Sequence, residues 1–417
     1  MFSKNLFGLE KNGDVKVWNI RVEDNSIVAG DHQVEVFITI EHGKQNGKLT
    51  TKIENILEGK QGRNLHEQGV SEAQSRVNKQ LKRGYRESVE ELTDLPIMAM
   101  LAKDHTKAGK NQEEKIEEGV FTSDKLDGIR LLAFCKLING VKTVELKSRM
   151  GEEIILPHIA QQLLEIMEVG EIYDGEAYVH GPALQDINSA VQRTDTQVKI
   201  DEAHRKVKRL EDKFINGEKY DKALAEFDNA VLIHELRPKL EFHVFDVVQI
   251  DIPFTERLDY LNRIAKRFHQ TPHVKKVAYK FAKSIVELTE QLHDCISRGY
   301  EGIMYRFKDG LYESGKRSAF LWKFKLFFDE EFEIVGSHKD KQGGIIFELK
   351  NNLNHEQFDC VMGDYAWRLA VADDDFSGQY MTVKFQARNK GTLIPQFGTG
   401  KDIRKGVIID GKFTPTM

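Results

Sequence analysis

Apolar and polar residues alternate over roughly the first sixty positions, at Val15 and Val17 and again at Val34, Val36, Ile38 and Ile40. Asn12-Gly13 and Asn46-Gly47 stand between these runs as turn signals, so the pattern predicts a small antiparallel sheet. From Ser71 to about Lys82 the spacing becomes helical, with Ser71 as N-cap and Gly84 just past the end. Arg76, Lys79, Lys82, Arg83 and Arg86 make a basic stripe there, which reads equally as a solvated helix face or as a surface for phosphates. From Leu95-Pro96 to about Leu326, strand-like apolar runs alternate with helical segments. Within that region, the charged stretch from Ile200 to Ala230 predicts an exposed, inserted helical pair without chemistry of its own. After Phe328 the runs FEIVGSH, GGIIFELK, MTVKFQARN and GVIIDGKF, separated by glycine-rich turns, predict a small β-barrel. The chain therefore reads as α+β in three parts, 1–94, 95–326 and 327–417, with no repeat of fixed period.

Composition narrows the function. The 417 residues carry 61 Lys+Arg against 66 Asp+Glu, a formal net charge of -5, so the whole surface cannot act as a neutraliser of nucleic acid. Any such binding must use local basic patches. No apolar run is long enough to span a bilayer, and the first residues lack the apolar core of a secretion signal, which predicts a soluble, cytoplasmic protein with no membrane partner. Cys135, Cys295 and Cys360 lie far apart in no CxxC spacing, so neither a disulfide framework nor a four-cysteine zinc site is expected.

Candidate chemistry gathers in four places. The first is Lys125-Leu126-Asp127-Gly128-Ile129-Arg130, which by itself also fits a surface strand ending in an Asp-Gly turn. In IYDGEAYVHG, alternation puts Asp174 and Glu176 on one face of a strand, a ribose or metal site or an ordinary exposed face. Glu301 precedes a glycine and a short apolar strand in SRGYEGIMYRF. In FLWKFKLFF, Trp322, Phe324 and Leu326 share one face while Lys323 and Lys325 share the other, an arrangement suited to anions, although surface lysines also snorkel in this way. Together these supply one nucleophilic lysine, carboxylates for a hard divalent cation, and cations for phosphate oxygens.

KLDGIR, SRMGEEI at 148–154, YDGEAYVHG, FHVFDVV at 242–248, YEGIMYR and WKFK follow the order of motifs I, Ia, III, IIIa, IV and V of ATP-dependent DNA ligases. The resemblance covers about residues 95 to 417 and is nearest to the compact bacteriophage or viral type, whose last barrel segment KFQARNKGTLIPQF resembles. It implies a nucleotidyltransferase (ATP-grasp-like ligase) domain of antiparallel sheets flanked by helices, then an OB-fold barrel. The N-terminal region, with Trp18 in VWNIRV, Gly43 in EHGK and the ending KRGYRE, is similar to the WGR-type module of DNA-break proteins, though the Trp-Gly-Arg string is missing. That likeness implies DNA binding.

The ligase resemblance further implies a monomer that seals nicks in double-stranded DNA with ATP and Mg2+ (or Mn2+). Lys125 is then the nucleophile that becomes AMP-lysine, Glu301 and Asp127 face the metal, and Lys323 and Lys325 contact phosphate. Glu176 holds the ribose, Arg130 the ribose or the nick, and Arg149 the 5′-phosphate of the broken strand. Phe245 stacks on adenine with Met304 on its other face. Two departures stand out. Many members carry Glu two residues before the lysine, where this chain has Ser123, so base selection falls to Thr122, Ser123 or backbone groups. No RxDK string occurs, which leaves Arg388 and Lys390, ahead of Lys401 and Arg404, to orient pyrophosphate. The alternatives are an RNA ligase or RNA-capping nucleotidyltransferase, and a non-catalytic DNA-break-binding protein, against which the intact set Lys125, Glu176, Glu301, Lys323 and Lys325 argues.

Overall fold

A computed structural model describes residues 2–9, 14–26, 34–93, 96–389, 391–409 and 412–415. The Asn12-Gly13 turn, the 94/95 boundary, the Lys82 side chain and Lys390 lie outside the described residues. At the N-terminus, strands Phe2–Leu9, Val15–Ser26, Val34–Lys44 and Thr50–Ile56 form one antiparallel sheet in chain order. Their alternation buries Leu6, Trp18, Ile20, Val22, Val36 and Ile38 on one face, which helix Leu65–Lys82 covers with Ala73 and Val77. Asn46, at φ 65°, takes the left-handed position of the second predicted turn, a conformation asparagine tolerates.

That helix starts six residues before Ser71. Asn64 accepts the N–H of Glu67 at 2.9 Å while the Glu67 carboxylate accepts the N–H of Asn64 at 3.0 Å, a reciprocal cap that satisfies two end donors. Nor is the basic stripe one continuous surface. Arg76 is paired with Glu54 at 2.6 Å, and the Arg86 guanidinium turns back to the carbonyls of Leu81 and Tyr85.

The middle of the chain builds two five-stranded sheets. One runs Val274–Lys276, Glu241–Val247, Ile172–Tyr178, Ile129–Ile138, Val141–Ser148, antiparallel except at the first pair. The other runs Lys280–Ala282, Val120–Asp124, Ile303–Phe307, Arg317–Phe324, Leu101–Asp104, antiparallel except at the last pair. Helices Pro157–Ile166, Leu184–Gln192 and Phe254–Ile264 close the first sheet's core through Ile159, Leu163, Ile187 and Leu261. The inserted helical pair is present as Thr196–Glu211 and Glu218–Leu236, with a small core of Val207, Leu210 and Ala223.

The last part is a five-stranded antiparallel sheet in the order Gln357–Cys360, Ile345–Lys350, Phe328–Lys339, Tyr380–Phe385, Thr399–Arg404. A parallel bridge between Met362 and Gly400, with the Gly400 N–H donating to Val361 O at 2.9 Å, joins its two edges into a barrel. A side chain at Gly400 would sit 2.5 Å from Met381 Sδ and 2.7 Å from Met362 Cβ, so closure requires glycine. The run GVIIDGKF is not a barrel strand: it splits into Gly406–Ile409 and Lys412–Pro415, which pair with each other. All three cysteines are free and buried, and no helix among the described residues is long and apolar enough to cross a membrane.

Candidate active site

Strand Val120–Asp124 delivers Lys125 to the mouth of a cavity of about 350 Å³ between the two central sheets, and strand Ile129–Ile138 carries the chain away. The turn between them presses on the neighbouring strand Ile172–Tyr178. A Cβ at Gly128 would lie 2.3 Å from Ala177 O and 2.9 Å from Glu176 Cγ, so only glycine permits this approach. The Lys125 N–H donates to Gly302 O at 2.7 Å, tying the turn to the loop that bears Glu301.

Glu301 sits between two ammonium groups, pairing with both Lys125 and Lys325. Burial pushes the Lys125 amine below its ordinary range; Glu176 and Asp127 oppose that shift and Arg130 adds to it. Burial, then the charge of Lys125, brings Lys325 down to about 7. Burial raises the Glu176 carboxyl to about 7 against the pull of Lys125 and Arg130. Lys325 also donates to Gln386 of the barrel at 2.9 Å, and Lys323 pairs with Asp104 at 3.1 Å.

Ser123, Lys125, Arg130, Glu176 and Phe245 line the cavity, and so do Arg149, Met304, Lys323 and Lys325. Phe245 packs under the Arg130 guanidinium, 4.6 Å from its ring centroid. Asp174 does not join Glu176 as a ligand-facing pair. It is fully buried and grips Arg130 through two 2.6 Å bonds while accepting Tyr312 Oη at 2.6 Å, so its oxygens are committed to holding an arginine.

Five other candidate residues lie elsewhere. Thr122 is buried with its hydroxyl donating to Gln291, turned away from the cavity, because alternation along its strand gives the cavity face to Ser123. Asp127 is exposed and outside the cavity lining. Arg388 stays inside the barrel, pairing with Glu330, donating to Asn351 at 3.0 Å and packing on Phe385. Lys401 and Arg404 are likewise paired, with Asp329 and Glu331 at 2.6 and 2.7 Å.

The sequence reading passed over Arg306 and Arg317, which also line the cavity. Arg306 is 3% exposed, bonds Asp246 at 2.8 Å and lies 5.6 Å from the Phe245 ring; Asp246 also takes Arg257 at 2.9 and 3.1 Å. A signal for Arg306 was present, since it stands two residues after Met304 and so on the same strand face. Among the described residues, no group of three or more His, Cys, Asp or Glu side chains gathers to hold a metal. One or two carboxylates fit the way Mg2+ is bound when substrate phosphates and water complete its shell; Glu301 pairs with Lys125 and Lys325, and the charge of the exposed Asp127 is felt at the same two lysines.

A sequence model of the ATP dependent DNA ligase domain matches residues 99–325. The DNA ligase of African swine fever virus (strain Badajoz 1971 Vero-adapted) is 27% identical over 230 residues, which cover 52% of this chain and 44% of that one. The ligase of the Warthog isolate of the same virus is 26% identical over the same shares. The chain thus spans less than half the length of these curated relatives. Among solved structures, one of the Lig E DNA ligases overlays with a TM-score of 0.52 at 22% identity, over 74% of this chain and 100% of that one. Pmar-Lig_Pre overlays with a TM-score of 0.56 at 18% identity, over 81% and 71%. Both likenesses are likenesses of fold.

Proposed function

The chain belongs to the ATP-dependent DNA ligase family, and from that premise we propose that it seals 3′-hydroxyl/5′-phosphate nicks in duplex DNA through a lysine-bound AMP. The observation that carries this reading is the convergence of Lys125, Lys323 and Lys325 on one cavity that also holds Glu176 and Phe245, with Glu301 paired to two of those lysines, Lys125 and Lys325. Lys125 Nζ attacks the α-phosphate of ATP; a P–N bond forms and the bond to pyrophosphate breaks. AMP then passes to the 5′-phosphate at the nick, and the 3′-hydroxyl displaces it. Each step is a displacement at phosphorus, so the protein's part is positioning and charge neutralisation.

Burial favours the neutral form of Lys125 that attack requires. Lys323 and Lys325 neutralise the α-phosphate oxygens, Glu176 receives the ribose hydroxyls, and Phe245 and Met304 flank adenine. Arg149, on the cavity rim, takes the 5′-phosphate. Ser123 and nearby backbone read the base in place of the usual glutamate. Mg2+ or Mn2+, held by Glu301 with Asp127 nearby, supplies further neutralisation of phosphate charge when bound. Pyrophosphate orientation is not assigned to Arg388, whose guanidinium is engaged within the barrel.

Incubation with α-labelled ATP and Mg2+ will leave covalent label on the protein, and adding nicked, 5′-phosphorylated duplex will chase the label onto DNA and then seal it. Faster sealing of single-stranded RNA than of nicked DNA overturns the substrate assignment. Gly128→Ala will slow label formation about 100-fold, because an ångström-scale shift of the lysine loses in-line geometry. Stopped-time labelling checks this, and an unchanged rate removes the role given to the close approach at Gly128.

A further inference from the structure

A second cavity, of about 1020 Å³, adjoins the nucleotide cavity and is walled by two different parts of the chain. The N-terminal sheet and helix contribute Lys16, Lys44, Arg83 and His42, and the catalytic part contributes Arg149 and Arg317. Leu101, Arg149 and Arg317 line both cavities, so one leads into the other. Among the described residues that line it there is no aspartate or glutamate, in a protein whose formal net charge is -5. Lys44 is paired with Asp14 at 2.9 Å from outside the lining, the Lys16 ammonium rests 5.4 Å from the Tyr85 ring centroid, and Arg317 donates to Ala102 O.

Like charges gathered in a concave wall repel one another and concentrate a positive field. Such a field suits a regularly spaced polyanion passing between two walls better than a single compact anion. The partly exposed ring of Tyr85 adds apolar surface against which a sugar edge can pack.

We propose that this groove holds the sugar-phosphate backbone of duplex DNA beside the nick, the 5′-phosphorylated strand running from Arg149 outward past Arg83 and Lys16. The N-terminal module is then the second wall of the DNA site. The assignment rests on the ligase reading for the identity of the polyanion, and on the groove for where it lies.

The test uses the full chain and a nicked, 5′-phosphorylated duplex as probe, with binding measured over a series of salt concentrations. Lys16→Ala/Arg83→Ala removes two charges that line the groove but not the cavity holding Lys125. Each lost phosphate contact lowers the slope of log affinity against log salt by about 1, so the double variant should lose about 2 and its Kd should rise about tenfold, with labelling by α-labelled ATP in the absence of DNA unchanged. Lys213→Ala/Lys219→Ala, at the exposed end of the helical insertion, removes the same charge elsewhere and should leave the slope in place. An unaltered slope for Lys16→Ala/Arg83→Ala, or an equal loss in the insertion variant, overturns the groove. A wild-type protein that binds the duplex with the expected groove dependence but takes no label from ATP defeats the ligase reading and leaves the groove standing.

Discussion

Arginine or alanine at position 125 will leave the protein without detectable AMP label and unable to seal a nick from ATP, a loss on the order of 10³- to 10⁶-fold. Alanine removes the nucleophile. Arginine keeps the positive charge, but a guanidinium stays protonated at any pH the fold tolerates and has no lone pair to offer phosphorus. The cavity is built for the opposite behaviour, since burial presses Lys125 toward its neutral form. The third displacement uses the 3′-hydroxyl rather than the lysine, so both variants should still close a nick whose 5′ end already carries AMP. Gel analysis of labelled protein beside sealing of pre-adenylated DNA separates the steps. Label that persists in Lys125→Ala would remove this lysine from the mechanism.

Asp246→Ala will cost the fold about 3 to 5 kcal/mol. Asp246 is 1% exposed and its two oxygens hold both Arg257, 1% exposed, and Arg306, 3% exposed. Removing the carboxylate leaves two guanidinium charges buried side by side. Arg257 keeps carbonyls such as Gly310 O at 2.9 Å and the faces of Phe254 and Tyr312 at 5.4 and 5.7 Å, and Arg306 keeps the faces of Phe245 and Phe254 at 5.6 and 5.0 Å. Neutral carbonyls and ring faces do not replace an anion in a dry interior. Urea unfolding measures the loss, and a change below about 1 kcal/mol would mean that water reaches these groups. Because Arg306 underlies Phe245, the surviving folded fraction should also bind ATP more weakly.

How far the molecule could be read beforehand depended on the range of the interaction involved. Strand alternation is local, so the N-terminal sheet and the face shared by Lys323 and Lys325 could be read from neighbouring residues. The helix start was misplaced although its signal was local as well: Asn64 and Glu67 carry the capping pattern, and Leu65 and Val70 extend the apolar stripe back past Ser71. The fifth barrel strand, Thr399–Arg404, is mostly polar, and its place depends on Gly400 meeting Met362 and Val361 from another part of the barrel. The commitment of Asp174 depends on Tyr312, 138 residues away, and that of Arg388 on Glu330, 58 residues away. No spacing rule reaches so far, so an apparent ribose carboxylate is a brace for Arg130 and an apparent pyrophosphate arginine is a strut inside the barrel.

The bond from Lys325 to Gln386 joins the floor of the nucleotide cavity to the barrel. Moving the barrel away breaks that bond and leaves the ammonium with Glu301 alone, so the tilt of one domain and the electrostatic potential felt by a phosphate in the other form a single mechanical variable.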